Sequence, residues 1–223
     1  MKSFKVKDND KSERIKSFIN SIRNFSFENV FNPYKDICPN HDTQESPILR
    51  LLNLELYLLA HTSIKPKQLW VGRDLGYRGG RRTGLALTDE HHLQLASEII
   101  GPKFFNKSTY TSSVKERTAT EIWNVISNIE HIPFLWNIFP FHPYEIGNQM
   151  SNRCHTNKEF LTSAFFIRNL LKIYDFEIIL ALGNDASKRL SDLGIIHEKI
   201  RHPSYGGQGE FRKKIFLLNN IKT

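Results

Sequence analysis

Cysteine is scarce: Cys38 and Cys154 are alone among 223 residues. Two thiols are too few for a disulfide scaffold, a four-cysteine zinc site or an all-cysteine iron–sulfur cluster, and they suit an intracellular, reducing setting. Long apolar runs are missing too, and the first 16 residues are polar and charged. That pattern predicts neither a membrane span nor a secretory leader. There is no internal repeat or low-complexity tract. The G-x-G-x-x-G turn of dinucleotide-binding proteins is absent, as are the H-x-E and P-C-x-x-C elements of zinc deaminases. What is present is 39% hydrophobic residues, enough for one packed core in a chain of single-domain length. Residues 1–12 read as a basic, flexible lead-in and 13–223 as one domain.

The formal charge is +8, and it is concentrated. From Gly72 to Arg82, Arg73, Arg78, Arg81 and Arg82 face only Asp74; from Lys199 to Lys214, Lys199, Arg201, Arg212, Lys213 and Lys214 face only Glu210. Both stretches are glycine-rich, which lets backbone approach a ligand closely. Two solvated loops would satisfy this pattern, and so would a polyanion-binding surface.

Helical spacing predicts helices over Glu13–Asn24, Ile48–Ala60, Asp89–Ile100 with Thr88 as N-cap, Thr118–Ile129 and Asn157–Tyr174. Short apolar runs at Gln68–Gly72, Phe134–Phe139, Glu177–Leu182 and Glu198–His202 read as buried strands. Strands alternating with helices predict an α/β fold with a parallel sheet covered on both faces. Ligands of such sheets bind beyond the carboxyl ends of the strands. Those ends carry Arg73-Asp74, Asn137, Gly183-Asn184-Asp185 and His202-Pro203-Ser204. Singly, each has an ordinary explanation: Asp74 as a turn cap, Asn137 satisfying backbone near Pro140, His202 as a loop residue, Gly183 as a helix cap. Together, a carboxylate, an amide and an imidazole would converge on one crevice.

The stretches GYRGGRRTG, WNIFPFHP and RHPSYGGQGEF, in this order, resemble the uracil-DNA glycosylase superfamily, and within it a bacterial branch without an iron–sulfur cluster. The resemblance runs from about Leu69 to Phe211. It implies a three-layer αβα sandwich with a central four-stranded parallel sheet, and hydrolysis of the bond between a base and deoxyribose with no cofactor and no metal. It further implies double-stranded DNA as partner, a cytoplasmic bacterial protein, no membrane association and action as a monomer. Asp74 would stabilise the cationic sugar and orient water, and His202 would donate to the base as charge develops on it. Asn137 would pair with the base edge, with Gly76, Tyr77 and Leu87 shaping the base pocket. Arg78, Arg81, Arg82, Lys213 and Lys214 would hold phosphates, assisted by Ser204, while Tyr205 or Gln208 would fill the gap left by a flipped nucleotide.

Three positions depart from the family. Arg73 stands where most of the similar branch has Glu, with the carboxylate one place later at Asp74. Gly76 replaces the tyrosine that elsewhere excludes a group at C5. Leu87 replaces a phenylalanine that stacks on the base. A pocket without that wall and that ring suggests a bulky 5-modified cytosine, of the glucosylated 5-hydroxymethylcytosine type found in phage DNA, and a resemblance to antiviral glycosylases. Uracil excision in repair, and an inactive DNA-binding module, are the alternatives.

Overall fold

The computed structural model describes residues 2–101, 105–204 and 206–221. The helices in chain order are α1 Lys2–Asn24, α2 Ser46–Ile64, α3 Gly80–Thr83, α4 Leu93–Ile100, α5 Arg117–Ile126, α6 Asn157–Ile173, α7 Asn184–Asp192 and α8 Gln208–Leu218. The strands are β1 Val30–Phe31, β2 Gln68–Gly72, β3 Phe134–Asn137, β4 His142–Pro143, β5 Ile178–Leu182 and β6 Glu198–Ile200. Four of them pair all-parallel in the order β3-β2-β5-β6, while β1 and β4 form a small antiparallel ribbon. The expected four-stranded parallel sheet is therefore present, flanked by helices in three layers.

The sheet is buried on both faces because its strands are apolar at successive positions, not alternate ones. Phe134 and Trp136 point to one face, where Trp136 meets Phe18 of α1 and Phe134 meets Tyr57 of α2. Trp70 points to the other and packs edge-on against Phe211 of α8. On the first face α1 contributes Ile15, Phe18 and Ile22, all buried and spaced for one helical stripe. The helix starts at Lys2, not Glu13, so residues 2–12 continue α1. Residues 2–24 contain no Gly or Pro to stop it.

Other boundaries moved for local reasons. Asp89, not Thr88, caps the turn before α4, its Oδ1 accepting the His92 N–H at 2.9 Å. The Thr88 hydroxyl instead donates to the Ala86 carbonyl and accepts from Trp123 Nε1. β3 ends at Asn137 and β6 at Ile200, yet Ile138 and Phe139 still donate to the carbonyls of Gly72 and Arg73 at 2.9 and 3.0 Å. The chain thus follows β2 past the regular ladder and holds the segment carrying Asp74 in place. Among the described residues no helix is long and apolar enough to cross a membrane.

Candidate active site

Parallel register brings the strand ends together. Gly72 is paired with Asn137, and Leu182 with Ile200, so the segments after all four strands open on one side of the sheet. A cavity of about 540 Å³ lies there, lined by Asp74, Asn137, His202, Gly76, Leu87 and Glu116 among others. This volume is in the range of ligand-sized clefts. The sequence-predicted carboxylate, amide and imidazole do converge.

Asn137 is 1% exposed, and its Oδ1 is buried without a hydrogen-bond partner among the described residues. Its amide lies over Gly72, where any Cβ would overlap it, so glycine at the end of β2 is a steric requirement. Leu87 closes the same corner, with Cδ2 at 3.0 Å from where a Gly72 Cβ would stand. Its φ of 55° lies in the left-handed region, which costs a non-glycine residue on the order of 1 kcal/mol.

Both oxygens of Asp74 are engaged. Arg73 Nε donates to Oδ2 at 2.6 Å, and His155 Nδ1 donates to Oδ1. Arg73 also reaches Asp185 Oδ2 at 2.9 Å and so bridges two carboxylates at the cavity wall. His155 is a neighbour of Asp74 that sequence reasoning missed. It stacks between Phe139 and Phe160 at 5.3 and 5.9 Å between centroids, and it precedes the α6 capping box of Thr156 and Glu159. That box marks a helix start in sequence; nothing local announces a partner in the segment after β2.

His202 is held close to Gly183, whose φ of 93° favours glycine and whose missing Cβ leaves room for the imidazole. The Ser204 N–H donates to His202 Nδ1 at 3.2 Å, so a neutral ring carries its proton on Nε2. Burial, and secondarily the nearby Arg73, lower its pKa against the opposing pull of Asp185. A neutral imidazole with a free Nε2–H is therefore the resting form.

Glu116 was not anticipated either. It sits just before α5, its N–H fixed to Asp89 Oδ2 at 2.6 Å and its carbonyl accepting from Thr120. Its carboxyl rests in the space left by Gly76 and Gly79: a Cβ on Gly76 would lie 3.1 Å from Oε1, and one on Gly79 would overlap the group. Burial, then the Asp89 charge, raise its pKa to about 7, with Arg78 opposing. The absence of a side chain at Gly76 therefore does not leave a void there, as the sequence suggested; it makes room for a carboxyl.

The phosphate-binding assignments need correction. Arg81 is 0% exposed; its guanidinium lies 3.9 Å from the Phe31 ring centroid and donates to His142 Nδ1 at 3.2 Å and to the Gln149 carbonyl. Burial, and Arg81 beside it, lower the His142 pKa to about 3, which keeps that ring neutral and able to accept. Arg82 is 4% exposed and paired with Glu90 at 2.8 Å. Neither faces solvent, because both tie the loop to the core. Lys214 pairs with Glu198, and Arg212 with Glu121 at 2.9 Å. Arg78, Lys199, Arg201 and Lys213 remain exposed. Tyr77 and Arg78 line a second cavity of about 360 Å³ and do not line the one with Asn137. Ser204 lines the main cavity, its hydroxyl 2.8 Å from that of Thr118. Gln208 opens α8 outside the cavity wall, and Tyr205 lies outside the described residues. Among the described residues no cluster of three His, Cys, Asp or Glu is disposed to hold a metal ion.

No protein family and no curated protein sequence matches the chain. Among solved structures, the crystal structure of wild-type SMUG2 from Pedobacter heparinus, a uracil-DNA glycosylase-family protein, superposes with a TM-score of 0.61 at 16% identity, covering 93% of this chain and 98% of that one. The chain thus has the three-layer sandwich fold of the uracil-DNA glycosylase-like proteins.

Proposed function

We propose that this chain is a monofunctional DNA glycosylase, acting as a monomer in a bacterial cytoplasm, that flips a modified pyrimidine from the duplex and hydrolyses its N-glycosidic bond. The observation carrying this reading is the meeting of Asp74, Asn137 and His202 in one cavity at the carboxyl ends of the parallel strands, in a fold shared with SMUG2. As the bond lengthens, positive charge grows on the sugar and negative charge on the base. Asp74, held by Arg73 and His155, supplies a fixed negative charge for the first and an acceptor for the attacking water. His202 meets the second through Nε2–H, as a neutral donor and not as an imidazolium. The Asn137 amide, whose Oδ1 has no partner among the described residues, offers donors and an acceptor to a pyrimidine edge. No lysine lines the cavity among the described residues, which suits attack by water and not by an amine.

The substrate is a cytosine bulky at C5, of the glucosylated 5-hydroxymethylcytosine type, and its removal from phage DNA is an antiviral act. The support is a cavity wall built of Leu87 and the carboxyl over Gly76 in place of two aromatic rings. The test incubates the protein with duplexes containing uracil, 5-hydroxymethylcytosine or its glucosylated form and scores abasic sites by alkaline cleavage. Cleavage of the 5-modified duplexes supports the reading; cleavage at uracil alone returns the protein to uracil repair. Asp74→Asn is expected to lose 100-fold or more in turnover, on the order of an electrostatic catalytic group, while keeping its affinity for DNA. Binding to these duplexes without cleavage of any would leave a DNA-binding module.

A further inference from the structure

Glu116 is the cavity group whose chemistry is least explained by the fold. Its backbone is fixed at both N–H and carbonyl, so the side chain has a defined direction. Two glycines, Gly76 and Gly79, clear space for the carboxyl. Having been given that space, the half-buried carboxyl accepts no hydrogen bond from a described side chain or backbone group and faces the cavity. A half-buried carboxyl without a partner among the described residues is unfavourable in a resting protein, and burial, then the Asp89 charge, push its pKa up to about 7, against the pull of Arg78. The same cavity contains the Asn137 amide, whose Oδ1 has no partner among the described residues. A pyrimidine ring held against Asn137 uses only part of about 540 Å³, and Glu116 belongs to the same lining.

We propose that Glu116 is a specificity-determining residue that accepts a hydrogen bond from a hydroxyl carried by the substituent of the extruded base. The inference rests on the glycosylase reading and sharpens it. The substituent is selected by a donor it must supply to the Glu116 carboxyl, and size alone does not admit it. Above its pKa of about 7 the group is a carboxylate and an acceptor only, so at pH 8 an ether, which has no donor, leaves it unpaired inside the cavity, which is costly.

The experiment compares, at pH 8, single-turnover cleavage of duplexes whose cytosine carries hydroxymethyl, glucosylated hydroxymethyl or methoxymethyl at C5; the last lies between the two alcohols in size and lacks the donor. Wild type is expected to favour the hydroxyl-bearing bases over the ether by roughly tenfold or more, as the loss of a hydrogen bond to a charged group implies. Glu116→Leu, which keeps volume and removes the acceptor, is expected to abolish that preference. Glu116→Gln, which keeps shape and a carbonyl acceptor, is expected to restore part of it, and thermal melting verifies that both variants fold. A wild type that treats the ether like the alcohol, or an unchanged preference in Glu116→Leu, overturns the inference and leaves the glycosylase reading standing. A wild type that releases a base from none of the duplexes overturns both.

Discussion

Asp74 and Glu116 show how differently two carboxyls can be used within one cavity. Asp74 has an arginine and a histidine donating to its two oxygens, so its negative charge is compensated and its direction set. The Glu116 carboxyl has no hydrogen-bond partner among the described residues, and its burial has a thermodynamic signature. Its folded-state pKa is raised from 4.5 to about 7, so the native protein binds this proton more tightly than the unfolded chain does. The stability present below pH 4.5 is therefore lost as pH rises through about 7, amounting to about 3 kcal/mol. Glu116→Gln, which cannot ionise, is expected to match wild type near pH 4 and to melt at a higher temperature at pH 8. Equal melting temperatures at pH 8 would mean that the carboxyl is better solvated than its setting between Gly76 and α5 implies. A residue that weakens the resting protein belongs to function more readily than to folding.

At the scale of elements, the segment from Gly72 to Thr83 does two tasks with similar residues. Its first half carries Arg73 and Asp74 to the cavity. Its second half, α3, plants Arg81 and Arg82 in the interior, where Phe31 of β1, His142 of β4 and Glu90 receive them. Local sequence presents four arginines in eleven residues and cannot separate these uses, since each is equally suited to phosphate. Arg81→Met is expected to lower stability by about 2 kcal/mol or more in denaturant titration, because it leaves the Gln149 carbonyl and the His142 nitrogen without their donor. Arg78→Met, at an exposed position of the same loop, should leave the midpoint unchanged.

The whole molecule carries +8, and the fold redistributes that charge. Of the arginines and lysines in the two basic segments, Arg78, Lys199, Arg201 and Lys213 are exposed without an ion-pair partner among the described residues. If these meet phosphates, single replacement of each by Met should reduce the slope of log affinity for duplex DNA against log salt by about 1. Arg81→Met should leave the slope unaltered. A slope insensitive to all four would place the DNA on another surface.

Much of this architecture is written locally. Strand β2 matched its expected limits, and apolar runs with helical and strand periodicity yielded the parallel α/β order. Because ligand crevices of such sheets lie at strand ends, Asp74, Asn137 and His202 could be singled out from the chain alone. Periodicity and turn chemistry act over a few residues, which is why they are legible there. The contacts that complete the site are not of that kind. His155 meets Asp74 across 81 positions, and Glu116 enters the cavity because two glycines from a different segment make way for it. Which arginines face water was likewise decided by packing. Burial and desolvation are properties of neighbours distant in sequence, and only the tertiary structure assigns those neighbours.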